Sequence, residues 1–184
     1  MSTFRGFIAV DIKTPQTLID FENEIQKSGA DVKLVEPKNI HITLKFLGDV
    51  AEDLIADIEQ VMKDAVQQIK PFTITLEGTG VFPNQNYIKV VWIGINDVQI
   101  IERIARGIDD GLHSLGFKKE KRGFSAHITV GRVKTAKNKQ QLLTILEKYK
   151  KTEFSVQEIT SIKLKKSDLT TSGPIYTTIK KVVF

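Results

Sequence analysis

The chain has 184 residues, 41% of them hydrophobic, a formal net charge of +5 and no cysteine. This length buries a sizeable core without staples, and the lack of cysteine excludes disulfides and thiolate metal sites. No apolar run is long enough for a membrane span, and Met1-Ser2-Thr3-Phe4 starts no signal-peptide pattern. One cytoplasmic domain over 1–184 is therefore expected, with a monomer as the default. Lysines outnumber arginines 22 to 5. A modest basic excess suits an acidic partner such as nucleic acid, although a lysine-rich soluble surface is the simpler reading of charge alone.

Phe4 to Val10 is β-rich and reads as the first strand. Thr14-Pro15 reads as an N-cap with proline at the first helical position, followed by Leu18, Phe21 and Ile25 at helical spacing and a stop at Gly29. Val32 to Val35 is a short strand. Asn39 to Gly48 alternates at period two, the mark of a strand with one buried face: Ile40, Ile42, Leu44 and Phe46 share one parity, His41, Thr43 and Lys45 the other. Leu54 to Ile69 is an amphipathic helix stopped by Pro71. Phe72 to Phe82 is a strand broken by Gly78 and Gly80, and Tyr87 to Ile95 is an apolar, central strand. Asn96-Asp97 is placed to cap a helix carrying Ile100, Ile101, Ile104, Ile108, Leu112 and Leu115, with Gly116 as its stop. Lys118 to Gly123 is a charged loop containing Arg122. Phe124 to Val133 is a second alternating strand, Asn138 to Tyr149 a helix, Glu153 to Lys165 one strand, Ser167 to Pro174 a polar turn and Ile175 to Phe184 the closing strand.

The order strand, helix, strand, helix, strand occurs twice, and the middle strand of each half carries a His-Ile-Thr triplet, His41-Ile42-Thr43 and His127-Ile128-Thr129. Two of the three histidines thus fall in matching frames nearly half the chain apart, a weak internal duplication. The implied fold class is α+β and bilobal: two pseudo-symmetric antiparallel-sheet lobes, helices on the outer faces, a central cleft between the triplets. Two imidazoles at one atom can divide acid and base roles, and a threonine two positions on shares the strand face and offers a neutral donor to a phosphoryl oxygen. That is the material of a metal-free phosphodiester site. Zinc would need three or four convergent ligands, and no G-x-S-x-G elbow, Walker loop or G-x-G-x-x-G is present. Arg132 is suited to a phosphate, but its parity opposes His127, so it needs a twist or bulge after Gly131. Phe46 has core parity and Lys45 shares the triplet face. Phe82, Phe124 and Trp92 read as core with base stacking as the alternative, and His113 as a surface residue on a helix with Arg106 and Asp110.

With these motifs the chain resembles the 2H phosphoesterases, and among them the bacterial and archaeal RNA 2′,3′-cyclic phosphodiesterases, also called 2′-5′ RNA ligases. The resemblance covers essentially the whole chain, through Phe4 to Val10, His41 to Gly48, Gly80-Val81-Phe82-Pro83, His127 to Arg132, Ser167-Asp168-Leu169 and Gly173-Pro174-Ile175-Tyr176. It implies hydrolysis of RNA 2′,3′-cyclic phosphate ends to 2′-phosphomonoesters without a metal or other cofactor. His41 would be the proton donor and His127 the proton acceptor. Thr43 and Thr129 would hold the phosphoryl oxygens, and Arg132 and Phe46 complete the expected substrate-binding set. Ala126 departs from the proline common before the second histidine. The reverse direction would be 2′-5′ ligation. Two alternatives stay open: the same chemistry on a small nucleotide such as ADP-ribose 1″,2″-cyclic phosphate, and a non-catalytic RNA- or nucleotide-binding module.

Overall fold

Alternating apolar residues draw the chain into strands that share one hydrophobic core with four helices. The computed structural model describes residues 2–120, 123–171 and 173–184; Arg122 lies outside them. The elements run β1 (Thr3–Asp11), α1 (Gln16–Lys27), β2 (Val32–Leu34), β3 (His41–Ala51), α2 (Ile55–Val66), β4 (Phe72–Asn84) and β5 (Tyr87–Asn96). They continue with α3 (Gln99–Ser114), β6 (His127–Val133), α4 (Lys139–Lys148), β7 (Glu153–Ile159), β8 (Ser161–Leu169) and β9 (Pro174–Val183).

Among the described residues nine antiparallel strands form one sheet, in the order β7-β4-β5-β6-β3-β1-β8-β9, with β2 paired to β6. The α+β, two-lobed reading is correct. One lobe is β3-β1-β8-β9 and the other β6-β5-β4-β7, and they meet where Ile42 of β3 lies opposite Ile128 of β6. The lobes are not the two halves of the sequence, because the C-terminal strands β8 and β9 complete the lobe that β1 begins. Helices α2 and α3 pack together against the first lobe; α1 and α4 pack together against the second. Phe21 of α1 meets Phe154 of β7 with ring centres 5.6 Å apart.

Several sequence expectations are corrected. Glu153 to Lys165 is not one strand: it divides at Thr160 into β7, which pairs with β4, and β8, which pairs with β1. These strands lie six places apart in the sheet. A flat sheet would separate them by about 29 Å at about 4.8 Å per strand, whereas one intervening residue spans at most about 7 Å. The sheet must curl until its edges approach. Gly78 and Gly80 do not break β4. Gly78, at φ +72°, sits in a bulge between Glu77 and Thr79. At Gly80 a Cβ would lie 2.1 Å from the Trp92 ring, so only glycine lets that indole lie across the strand. Neither expected helix cap is made by a side chain. Pro15 occupies the N-cap of α1 while the Thr14 hydroxyl donates to the Pro37 carbonyl, and Val98 occupies that of α3. The stop at Gly116 is as expected: at φ +91° it closes α3, and the Phe117 N–H donates to the Leu112 carbonyl.

Glu22 of α1 is buried, and its Oε1 has no hydrogen-bond partner among the described residues. Burial pushes its carboxyl up from about 4.5 to about 7. The folded state keeps a proton that the unfolded chain releases near 4.5, so this stability is full below 4.5 and lost as pH rises through 7. Glu22→Gln is expected to melt a few degrees above the parent at pH 8, since about 1 kcal/mol is worth about 2–4 °C at this size. The gap should shrink toward pH 5, and calorimetry at the two pH values checks it.

Candidate active site

The Ile42–Ile128 pair fixes the site. Antiparallel pairing about that point sets His41 beside Thr129 and Thr43 beside His127 on the face of the sheet opposite the buried isoleucines. All four side chains line one cleft of about 560 Å³. The triplets are therefore neighbours in the sheet, and the cleft is its concave surface.

Each imidazole is held the same way. His41 Nδ1 lies 2.6 Å from the Asn39 carbonyl, and His127 Nδ1 lies 2.8 Å from the Ser125 carbonyl. A carbonyl only accepts, so both Nδ1 atoms carry protons and the Nε2 atoms are left for the cleft. His41 Nε2 lies 3.1 Å from Thr43 Oγ1. Asn39, itself buried, is anchored by its side-chain amide, which donates to the Pro174 carbonyl at 3.2 Å. The His41 ring packs against Phe7 and Tyr176, which also meet each other, at centroid distances of 5.1 and 5.4 Å, and His127 meets Phe82 at 5.0 Å. Burial holds the His41 pKa below its ordinary value. The Asn39 carbonyl opposes that shift, Lys165 adds to it, Asp11 opposes it and His127 adds to it. Asp11 lies across from His41 on β1, in ion pairs with Lys163 and Lys165 at 2.5 Å each.

A matched pair of bulges places the remaining candidates. In β3 the register passes from Thr43–Ala9 to Lys45–Ile8, leaving Leu44 unpaired; in β6 it passes from Thr129–Trp92 to Gly131–Val91, leaving Val130 unpaired. One extra residue reverses the parity beyond it. Arg132 thus returns to the face of His127, by a bulge one position earlier than the sequence required, and it lines the cleft. Phe46 likewise returns to the cleft face, 66% exposed, and is not a core residue as its parity implied. Phe46 and Arg132 each stand five positions after a triplet histidine. Lys45 is turned the other way, contrary to its shared parity with the triplet. It is buried, bonded to Asp109 of α3 at 2.6 Å and to the Lys118 carbonyl at 2.7 Å. Its counterpart is Gly131, where a Cβ would lie 2.6 Å from Val32 of β2.

Sequence reasoning gave no role to Phe7, Tyr176, Arg5, Lys33 or Lys134, all of which line the cleft. The signal for Phe7 and Tyr176 was only that they fell in stretches carrying the family resemblance. Phe82 and Phe124 line a second hollow of about 620 Å³ on the other side of the triplets, shared with Thr43, His127 and Arg132. Trp92 packs on Phe82 at 5.4 Å. His113 is exposed on α3, as expected. No group of three or more potential metal ligands occurs among the described residues, and no helix among them is long and apolar enough to cross a membrane.

Residues 12–168 match the model of the 2′-5′ RNA ligase superfamily. The chain belongs to that family of enzymes, the group of 2H phosphoesterases that its motifs resemble. The RNA 2′,3′-cyclic phosphodiesterase of Methanocaldococcus jannaschii is 43% identical over 96% of this chain and 99% of its own length. The protein of the same name from Methanothermobacter thermautotrophicus is 40% identical over 94% and 95%. In fold, a Thermus thermophilus crystal structure superposes with a TM-score of 0.82 at 24% identity over 97% of both chains. E. coli LigT complexed with 3′-AMP superposes at 0.71 and 21% over 99% of this chain and 98% of that one.

Removing one partner of a buried ion pair leaves an uncompensated charge, at a cost of about 3–5 kcal/mol. Lys45→Met is therefore expected to lose most of that stability in urea titrations, and Lys45→Met with Asp109→Leu to recover much of it. His41 is expected to titrate below the ordinary histidine value in a proton NMR experiment, and lower again in Asp11→Asn, because Asp11 opposes the shift.

Proposed function

We propose that this protein opens 2′,3′-cyclic phosphates at RNA ends to 2′-phosphomonoesters. The observation that carries the reading is the pair of imidazoles on adjoining strands of one cleft, each fixed by Nδ1 to the carbonyl two residues before it. His127 Nε2 takes a proton from water, and the water oxygen bonds to phosphorus. The bond from phosphorus to the 3′ oxygen breaks, and His41 Nε2 delivers its proton to that oxygen. Thr43 and Thr129 donate to the non-bridging oxygens, and Arg132 balances their charge. Phe46 offers an exposed face for a base. No step calls for a metal. With a 5′-hydroxyl in place of water as the nucleophile, the same groups would form a 2′-5′ linkage. Relatives at 40–43% identity that carry the name RNA 2′,3′-cyclic phosphodiesterase support this substrate.

The buried His41 favours its neutral form in the free protein; the anionic diester beside it favours the proton that the mechanism needs. His41→Ala and His127→Ala are each expected to lose about 10²–10⁴-fold in kcat on an oligonucleotide with a 2′,3′-cyclic end, with circular dichroism unchanged. Phosphorus NMR of the product should show a 2′-phosphomonoester. Full activity in either variant, or a 3′-phosphate product, rejects the assignment. The rate–pH profile is expected to be bell-shaped, with the His41 limb of kcat/KM below the ordinary histidine value.

A further inference from the structure

Arg132 and Lys134 line the catalytic cleft and also a separate groove of about 340 Å³ along the ends of β5 and β6. Lys89, Lys137 and Lys139 line that groove too, and no carboxylate occurs among its described lining residues. Tyr87 stands at its side, 61% exposed, with the Lys89 ammonium 5.1 Å from the ring centre. A bulge leaves Lys89 unpaired between Val90 and Ile88, which frees it from the strand's alternation. Lys139 donates to the Asn86 carbonyl at 2.9 Å, a neutral partner that leaves its charge uncompensated. The hollow on the other side of the triplets is of mixed charge: Glu102, Asp109 and Glu120 share its wall with Lys45, Arg106 and Arg132, and Asp109 and Glu120 are ion-paired to Lys45.

We infer that the groove is a binding track for the single-stranded RNA that precedes the cyclic end, with phosphates running from Arg132 and Lys134 to Lys89, Lys137 and Lys139. This rests on the proposed function for its substrate. A cyclic phosphate terminates the 3′ side of a strand, so the remaining nucleotides leave the cleft on one side only, and the groove is the side whose described lining holds five cations and no carboxylate, with Tyr87 exposed beside Lys89 for stacking. The groove makes the protein an oligonucleotide enzyme, distinguishing an RNA end from a free cyclic mononucleotide by phosphates that the histidines never touch.

The test is the triple variant Lys89→Ala, Lys137→Ala, Lys139→Ala. The parent is expected to show a higher kcat/KM on a cyclic-ended hexanucleotide than on a cyclic mononucleotide. The variant should lose about tenfold or more of that preference while keeping its mononucleotide rate. Single-strand binding weakens with salt at a slope of about −0.7 per phosphate contacted. Fluorescence anisotropy with a labelled hexanucleotide ending in a 2′-phosphate should therefore give a log–log slope shallower by about 2 in the variant. An unchanged substrate preference, or an unchanged slope, overturns the track. Should the parent turn over neither substrate, the proposed reaction fails, and the binding slopes alone decide the groove.

Discussion

One backbone pairing governs this molecule. Ile42 opposite Ile128 is where the two lobes join, and it sets both triplets on one face in reciprocal order. A slip of one residue would turn one triplet into the core. A slip of two would keep the face but part each imidazole from the hydroxyl beside it. The register is held from behind by Ile42, Leu44, Ile128 and Val130, all buried. From the sides it is held by β2 laid along β6 and by Lys45 tied to α3. The chemistry is thus a by-product of core packing: side chains that touch no substrate fix where the four that could touch it stand.

The pseudo-symmetry that creates the site is broken where the two strands meet different neighbours. Beyond the first bulge stand a buried lysine and an exposed phenylalanine; beyond the second stand a glycine and an exposed arginine. The His41 ring is packed by Phe7 and Tyr176, whereas the His127 ring meets Phe82, itself packed on Trp92. A symmetric cradle would treat both ends of a phosphodiester alike. This one presents an exposed phenylalanine beyond one triplet and an exposed arginine beyond the other.

The triplets, the helices and the two-lobed class were legible because each rests on periodicity that the local chain controls. The helix faces of Leu18, Phe21 and Ile25 and of Ile101, Ile104 and Ile108 read directly as buried stripes. What escaped depends on partners distant in sequence. Alternation runs unbroken from Ile40 to Phe46, so nothing local marks Leu44 as the residue that β1 leaves unpaired, and Phe46 and Lys45 exchange faces as a result. The need for a bulge near Arg132 could be stated, since a useful arginine had the wrong parity, but its place at Val130 could not. The division at Thr160 is silent for the same reason: period-two alternation is the same for one strand and for two that part company.

That division bears on how the protein is made. Strand β1 emerges from the ribosome early, yet one of its flanks finds no hydrogen-bonding neighbour until β8 has been translated, after every strand of the other lobe. The lobe bearing the first histidine is therefore the last to close, and its long-range contacts favour slow folding. In the interval a nascent chain carries an open β-edge of the kind that recruits chaperones or a neighbouring polypeptide.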